Sequence, residues 1–407
     1  MVAPSLVKIA FGALLANKLR SGLTLLGVMI GVTSVMTIIS ALEGMMDGIE
    51  AQLARLGPTT FIVARFGGVI TSEEQYLEML KRKRLELKTL KYIEDGCDLC
   101  EKVCPRAYTR ARIKHRDKAL RRVSIRGASY SLIDIVDIEV AQGRFYSRED
   151  DLHRRQVVFI GDFIREELFE GVDPIGKEIR IGGKKYTVIG IAKKRGSTFG
   201  ENQDNFAVIP FSTFVKQFGE PRRSLAFFVK AVSVERLQEA MDQVRMILRA
   251  KRHVPYDKPD DFSLITADNI LEALNAFTRM FRLTLVGISS ISLVVGGIVV
   301  MNIMMVSVTE RTREIGIRKS VGAKQKHILV QFLFEALMTT FSGGVVGIVL
   351  GFLIARFLVG LIDMEISPST FAIVAGLFIS VGTGVIFGIY PAMKAARMDP
   401  IKALSYE

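Results

Sequence analysis

The sequence predicts an α-helical membrane protein with four transmembrane helices and an α+β extracytoplasmic domain between helices 1 and 2. Three observations carry that prediction. Four runs are apolar over membrane-spanning length, basic residues gather on one side of those runs, and about 240 residues of mixed polarity separate the first run from the second. A bilayer's hydrocarbon layer is crossed by about 20 apolar residues in a helix. The 49% hydrophobic content agrees with this reading.

The first run, Gly22–Leu42, follows Lys8, Lys18 and Arg20 with no acid among them. It is longer than the roughly 7–15 apolar residues of a cleavable secretory signal, so it reads as an uncleaved anchor. The second, Leu283–Val308, has no charged residue, which a buried helix of a soluble core rarely sustains. The third, Ala336–Ile362, is broken only by Arg356, and the fourth covers Phe371–Tyr390. Arg356 lies about two turns from the outer end, and snorkelling to the interface is its default reading.

Short cytoplasmic loops are rich in Lys and Arg. Between spans two and three lie Arg311, Arg313, Arg318, Lys319, Lys324 and Lys326 against Glu310 and Glu314, and Lys394, Arg397 and Lys402 follow span four. The turn between spans three and four carries Asp363 and Glu365 and no base. Both termini are therefore expected in the cytoplasm. The division follows: residues 1–42 hold the N-terminus and helix 1, residues 43–282 an extracytoplasmic domain, and residues 283–407 the other three helices.

In the outer domain, Leu42–Leu56 and Ala267–Arg282 read as helical stalks, the second opened by the capping-type Thr266 and Asp268. TTFIVARF, RAYTRARIKH, RRVSIRGAS, SLAFFVKA and FSLIT read as strands, and Ser72–Asp95 and Glu235–Arg252 as helices. A strand-rich insert at about 143–219 holds RQVVFIG, a helix at Asp162–Phe169, a hairpin turning at Gly182 and Gly183, and NFAVIP. Two subdomains are expected, one inserted into the other. The net charge of +13 comes from the flanks and from a basic outer region that includes KRKR at Lys81–Arg84, read as a solvated helix face.

No catalytic constellation emerges. GVDPIGKE, Gly171–Glu178, follows a P-loop for seven positions, then offers Glu178 where Ser or Thr must hold magnesium, and a strand follows instead of a helix. It reads as a turn before a hairpin, leaving this sequence without an ATPase of its own. Cys97, Cys100 and Cys104 supply three thiols where tetrahedral zinc needs four ligands, so no metal is expected. If the preceding helix continued, Leu90, Ile93 and the cysteines would share one face. Burial and a single disulfide both stay open. The four histidines, His115, His153, His253 and His327, are scattered.

Inside the spans, Gly27 and Gly31, then Gly343, Gly347 and Gly351, then Gly384 and Gly388, recur at the four-residue spacing that lets helix backbones approach in lipid. Between spans two and three, Glu310, Arg311, Arg313, Glu314, Ile315, Gly316, Arg318, Lys319 and Gly322 form a short charged elbow. Glu314 precedes Arg318 by four residues, the favourable helical pairing, and Gly322 stops the helix. Tyr390–Glu407 offers a second such segment.

VSVTERTREIGIRKSVGA resembles the signature of the FtsX-like permeases of ATP-binding-cassette systems, most closely the MacB type. ANKLRSGLTLLGVMIGV, GIYPAMKAARMDPIKALSYE and DPIGKEIRIGGKKYTVIGI are similar to that family's N-terminal, C-terminal and periplasmic core sequences. The resemblance implies a bacterial inner-membrane permease, not itself an enzyme and without a cofactor of its own. ATP and magnesium would be held by a separate cytosolic ATPase, with residues 310–323 as its coupling helix. A second permease copy, identical or a paralogue, would complete the complex in the lipid bilayer, with room for a periplasmic adaptor and outer-membrane channel; nothing points to nucleic acid. Mechanotransmission would drive efflux of an amphiphilic, peptide or antibiotic substrate, with porter- and sabre-like subdomains outside. The alternatives in the family are a relay activating a cell-wall hydrolase and a lipoprotein-releasing permease. Two features depart from the pattern: MacB-type relatives carry the ATPase on the same chain, and the cysteine cluster is not part of the signature.

Overall fold

The computed structural model describes residues 18–67, 72–198, 201–219, 224–361 and 368–404. The basic flank at Lys8 and the turn bearing Asp363 and Glu365 lie outside them. Two units result, Met1–Met46 with Thr278–Glu407, and Asp47–Phe277. Among the described residues, four helices are long and apolar enough to cross a membrane. The first membrane helix is Lys18–Leu53, the second Ala267–Glu310, the third Gln325–Gly360 and the fourth Thr370–Arg397. The first two run past their apolar stretches, the first to Leu53 and the second starting at Ala267, and the hydroxyl of Thr266 caps the second by accepting from the Asn269 amide at 3.1 Å.

Glycines set how closely the membrane helices pack. A Cβ at Gly347 would lie 2.9 Å from the Met29 carbonyl oxygen, one at Gly351 the same distance from that of Thr33, and one at Gly343 3.2 Å from that of Leu25. The three glycines thus form a groove on the third helix that receives the first. In return the Thr33 and Thr37 hydroxyls donate to the Gly347 and Gly351 carbonyls, each at 3.1 Å. Gly27 faces Gly296 of the second helix, where a Cβ would sit 3.1 Å from Cα, and Gly31 faces Leu293. Gly384 meets Thr340, Gly388 meets Ala336, and the Ser380 hydroxyl donates to the Thr340 carbonyl at 2.6 Å. Arg356 is exposed on the flank of the third helix.

The fourth helix differs from expectation by continuing through Pro391 to Arg397, past the end of its apolar run. Proline removes one amide donor. Burial of Ala392, Ala395 and Ala396 against Ile328 and Phe332 carries the helix onward.

In the other unit the chain forms β1 (Thr60–Ala64), α1 (Glu73–Lys81), α2 (Leu87–Gly96), β2 (Cys100–His115), β3 (Lys118–Ala128), α3 (Leu132–Ile135), β4 (Val140–Gly143), α4 (Arg148–Leu152), β5 (Val157–Ile160), α5 (Asp162–Phe169), β6 (Glu178–Ile181) and β7 (Lys184–Ala192). A short ribbon follows, β8 (Ser197–Thr198) with β9 (Glu201–Asn202), and then β10 (Phe206–Pro210), α6 (Phe211–Phe218), β11 (Ala226–Ala231), α7 (Leu237–Arg252) and β12 (Ser263–Thr266). One sheet runs β12-β1-β11-β2-β3-β10-β5-β7-β4, with β6 pairing both β2 and β7. Apart from the β8–β9 ribbon, the strands of 143–219 are therefore hydrogen-bonded into the same sheet as the strands around them, and one apolar core, from Phe61 and Phe227 to Ile179 and Tyr186, spans both. Gly182 and Gly183 turn the β6–β7 hairpin with φ of +54° and +92°, the mirror-image turn that only glycine adopts cheaply. The P-loop lookalike is a turn, in which the Asp173 carboxylate accepts from the Ile175 amide at 3.0 Å.

Two expectations are corrected here. The single helix over Ser72–Asp95 is two helices, and of KRKR, Lys81 ends the first while Arg82, Lys83 and Arg84 form the link; Lys81, Lys83 and Arg84 are exposed as expected, but on no common helix face. Arg82 Nη1 donates to Ser263 Oγ at 2.8 Å and to the Arg65 carbonyl at 3.1 Å, and the carbonyls of Lys83 and Arg84 accept from Arg252. These bonds, with burial of Leu85, outweigh helix continuation. Nor does the next helix reach the cysteines: it stops at Gly96, Cys97 and Cys100 form a disulfide, and Cys104 lies on β2, buried and free. Burial pushes the Cys104 thiol up.

Gly347→Ala places a methyl group against carbonyl oxygen and is expected to lower the unfolding temperature of the detergent-solubilised protein. Gly382→Ala, with nothing within 4 Å, is expected to raise it through helix propensity worth about 0.5–1 kcal/mol. A second expectation concerns Asp150, whose side chain is fully buried. Burial opposes its charge, but the Arg144 guanidinium and the Ser147 amide and hydroxyl prevail and hold its carboxyl down to about 2. A depressed carboxyl stabilises above the unfolded value and loses that contribution as pH falls through the folded one. Stability of the domain should decline between about pH 4 and pH 2, and a pH series of melts on Asp150→Asn should show a lower midpoint at neutral pH and a shallower acid decline.

Candidate functional site

The second membrane helix ends at Glu310, the chain breaks at Arg311 (φ −99°, ψ 17°), and the elbow helix runs Thr312–Ser320. The Thr312 hydroxyl donates back to the Thr309 carbonyl at 2.7 Å, which tightens the bend. At the far end Gly322 takes φ +99° and the Ala323 amide donates to the Arg318 carbonyl at 3.0 Å, a glycine stop of the expected kind.

The start of the elbow differs from expectation. Glu310 belongs to the membrane helix and Arg311 to the break, because Arg311 turns inward: its Nη1 reaches both carboxylate oxygens of Glu335 on the third helix, at 3.2 and 3.1 Å. Their side chains are only 29% and 11% exposed. A buried pair adds little over an apolar replacement, but removing one partner costs about 3–5 kcal/mol.

Three more of the singled-out residues face inward. Ile315 is 1% exposed and packs with Ile328 and Phe332 of the third helix and Ala392 of the fourth. A Cβ at Gly316 would lie 2.9 Å from that of Ala403 on the C-terminal helix Pro400–Leu404. Lys319 Nζ donates to the Met398 carbonyl at 2.6 Å. The elbow is thereby clamped to the third helix, the end of the fourth and the C-terminal helix. Arg318 divides its guanidinium, giving Nη1 to Gln331 at 2.8 Å and Nη2 to Glu314 at 2.5 Å, the pairing its spacing predicts.

Arg313, Glu314 and Gly322 point outward. Between them stand two residues the sequence reading missed, Ile317 and Val321, 49% and 83% exposed. Their i, i+4 spacing was the available signal, an apolar pair on the charged side of a helix. Beside the elbow, Tyr390, Met393, Lys394, Arg397 and Met398 line a groove of about 510 Å³. Glu335 was also missed, since it precedes the apolar run that begins at Ala336. The packing glycines lie inside the membrane unit and the cysteines in the other unit, so neither set joins this site. Among the described residues no group of His, Cys, Asp and Glu could hold a metal ion.

Four apolar helices, an α+β domain between the first two and a clamped polar elbow between the next two define an ABC transporter permease. Residues 21–247 match the MacB-like periplasmic core domain and residues 286–400 the FtsX-like permease C-terminal domain. An uncharacterized ABC transporter permease, YvrN of Bacillus subtilis, is 33% identical over 98% of this chain and 99% of its own length. The macrolide export ATP-binding/permease protein MacB of Bdellovibrio bacteriovorus is also 33% identical, over 98% of this chain but 61% of its own. The chain thus spans about three fifths of the MacB relatives it matches. The periplasmic region of MacB from Actinobacillus actinomycetemcomitans aligns with a TM-score of 0.45 at 16% identity, covering 56% of this chain and 97% of that one. The chain belongs to the MacB/FtsX-like family of ABC permeases.

Arg311→Ala, which strands the Glu335 carboxylate, should destabilise the purified protein by about 3 kcal/mol or more, whereas Arg311→Leu with Glu335→Leu should recover most of that loss. Denaturation melts of the two variants side by side check this.

Proposed function

We propose that this chain is the permease of an export system driven by a separate cytosolic ATPase, and that the elbow is where the ATPase pushes. The observation that carries this reading is the exposed pair Ile317 and Val321 on a helix whose opposite face is locked. An apolar pair rimmed by Arg313 and Glu314 has the composition of a docking hot spot, a desolvated anchor with a polar border. A load on this helix passes through Arg311–Glu335 to the third membrane helix and through Lys319–Met398 to the fourth. Mechanotransmission follows: the ATPase binds ATP and magnesium, and the permease carries motion to its outer domain. The basic flanks support cytoplasmic termini in a bacterial inner membrane, with residues 43–282 outside. A second permease copy completes the complex, and a periplasmic adaptor and outer-membrane channel are the partners such a domain suits. The substrate proposed is an amphiphile, a peptide or an antibiotic.

Ile317→Ala with Val321→Ala tests the reading. Loss of two apolar anchors should weaken ATPase docking roughly tenfold to a hundredfold, read by co-purification and by permease-stimulated ATP hydrolysis, with no drop in the permease's own melting temperature. Normal docking and stimulation in that variant overturns the proposal.

A further inference from the structure

The sheet of the outer domain gathers arginines on one face. Across β2 and β3, Arg106 pairs with Ala128 and Tyr108 with Arg126. Cys104 pairs with Phe228 of β11, Arg126 with Val208 of β10, and Ser124 with Phe206. Directly paired residues share a face, and their diagonal neighbours are about 7–8 Å away. Register alone therefore puts Phe228, Arg106, Arg126 and Phe206 on one surface. The guanidinium of Arg106 lies 5.0 Å from the Phe228 ring centroid, and that of Arg126 4.5 Å from that of Phe206. Arg195, beyond β7, brings a third to the same Phe206 ring at 5.6 Å. All three arginines are half-buried.

A structural reading would have these arginines stack on aromatic faces and pair with carboxylates. The stacking is present, but for Arg106 and Arg126 the pairing is missing among the described residues. Among the described residues no carboxylate pairs with Arg106 or Arg126; the charges they feel include each other's and that of Arg195. The acids near Arg195 are otherwise engaged. Asp204 is buried and accepts from the backbone amides of Arg195, at 2.9 and 3.0 Å, and Gly196, at 2.8 Å. Glu139 is paired with Lys193, and Asp137 bonds Arg195 through its backbone carbonyl at 3.5 Å. Burial and the neighbouring Arg55 oppose the charge of the Arg195 guanidinium, while the charges of Asp204, Asp137 and Glu139 favour it. Burial, together with the charges of Arg106 and Arg195, pushes the Arg126 guanidinium down to about 9.

We propose that Arg106, Arg126 and Arg195 form a binding site for a phosphate-type dianion, either a free phosphate or the phosphate monoester of a lipid headgroup. Two planar forks without a counter-carboxylate, beside a third whose nearby acids are shared with backbone amides and Lys193, call for more than one negative charge, and a tetrahedral set of oxygens can meet more than one fork at once. A single carboxylate supplies neither the charge nor the geometry. The aromatic rings beneath hold the guanidiniums in place without consuming their donors. This site is independent of the elbow and does not rest on the coupling reading.

The test uses the full chain in nanodiscs of zwitterionic lipid, titrated with inorganic phosphate and followed by calorimetry and thermal melts. Saturable binding that raises the melting temperature is expected, and Arg126→Gln and Arg195→Gln should each weaken it by about tenfold or more. Without phosphate Arg126→Gln should melt at or above the wild-type temperature, because its charge partners are repulsive; a purely structural stacking role would make it melt lower. Phosphate binding that is absent, or unchanged in both variants, overturns the site, as does a lower phosphate-free melting temperature in Arg126→Gln. A soluble phosphate monoester and vesicles containing phosphatidic acid distinguish the two sources. A response to either that Arg126→Gln abolishes supports the site, and no response to both overturns it.

Discussion

Lipid tails are as apolar as leucine, so four membrane helices gain nothing from hiding apolar surface against one another. What holds them is close approach, and here it runs through Gly343, Gly347 and Gly351. With no side chains in the way, the first and third helices come near enough for Thr33 and Thr37 to donate across to glycine carbonyls. Each such bond is worth only about 0.6 kcal/mol, but the dispersion contacts of two tightly packed backbones add along the groove. The elbow inherits its position from the same helix. Its inner residues Arg311 and Ile315 are held by Glu335, Ile328 and Phe332, all on the N-terminal half of the third helix.

Charge is handled differently in the two units. In the membrane unit each inward arginine of the elbow has an acceptor: Arg311 has Glu335, and Arg318 has Gln331 and Glu314. In the sheet domain Asp150 is surrounded by Arg144, Arg155 and Ser147, a buried acid served by several donors. The arginines over Phe206 and Phe228 reverse that arrangement, with donors in excess: among the described residues no carboxylate pairs with Arg106 or Arg126.

Much of this was legible in the sequence because the physics was local. Apolar runs, the helix at Asp162–Phe169, the glycine pair of the β6–β7 hairpin and the stop at Gly322 each depend on a few neighbouring residues. The misses share a cause in that distant partners decided them. Arg82, Lys83 and Arg84 became a link because Ser263 and Arg252 claim them from far along the chain, and the cysteine segment became a strand because β11 pairs with it. At the elbow the residue types were recognised while their directions were not. Whether Lys319 or Ile317 faces outward depends on where Met398 and Ala403 lie, which spacing alone does not say. The small helices α3 and α4 and the edge strand β4 were too short for periodicity to register.

The pairing of β1 with β12 has a consequence for how such a chain can be assembled and varied. Phe61, just inside the first strand of the sheet, lies opposite Thr266, the last residue of its final strand. Strands in one sheet are about 4.8 Å apart, so the chain arrives in the domain and leaves it at nearly the same place. The domain is topologically a closed insertion. β1 also pairs with β11, but its other edge stays open until β12 forms, so the sheet is complete only once residue 266 has emerged. A segment whose first and last strands are neighbours can change in length between them without moving either end.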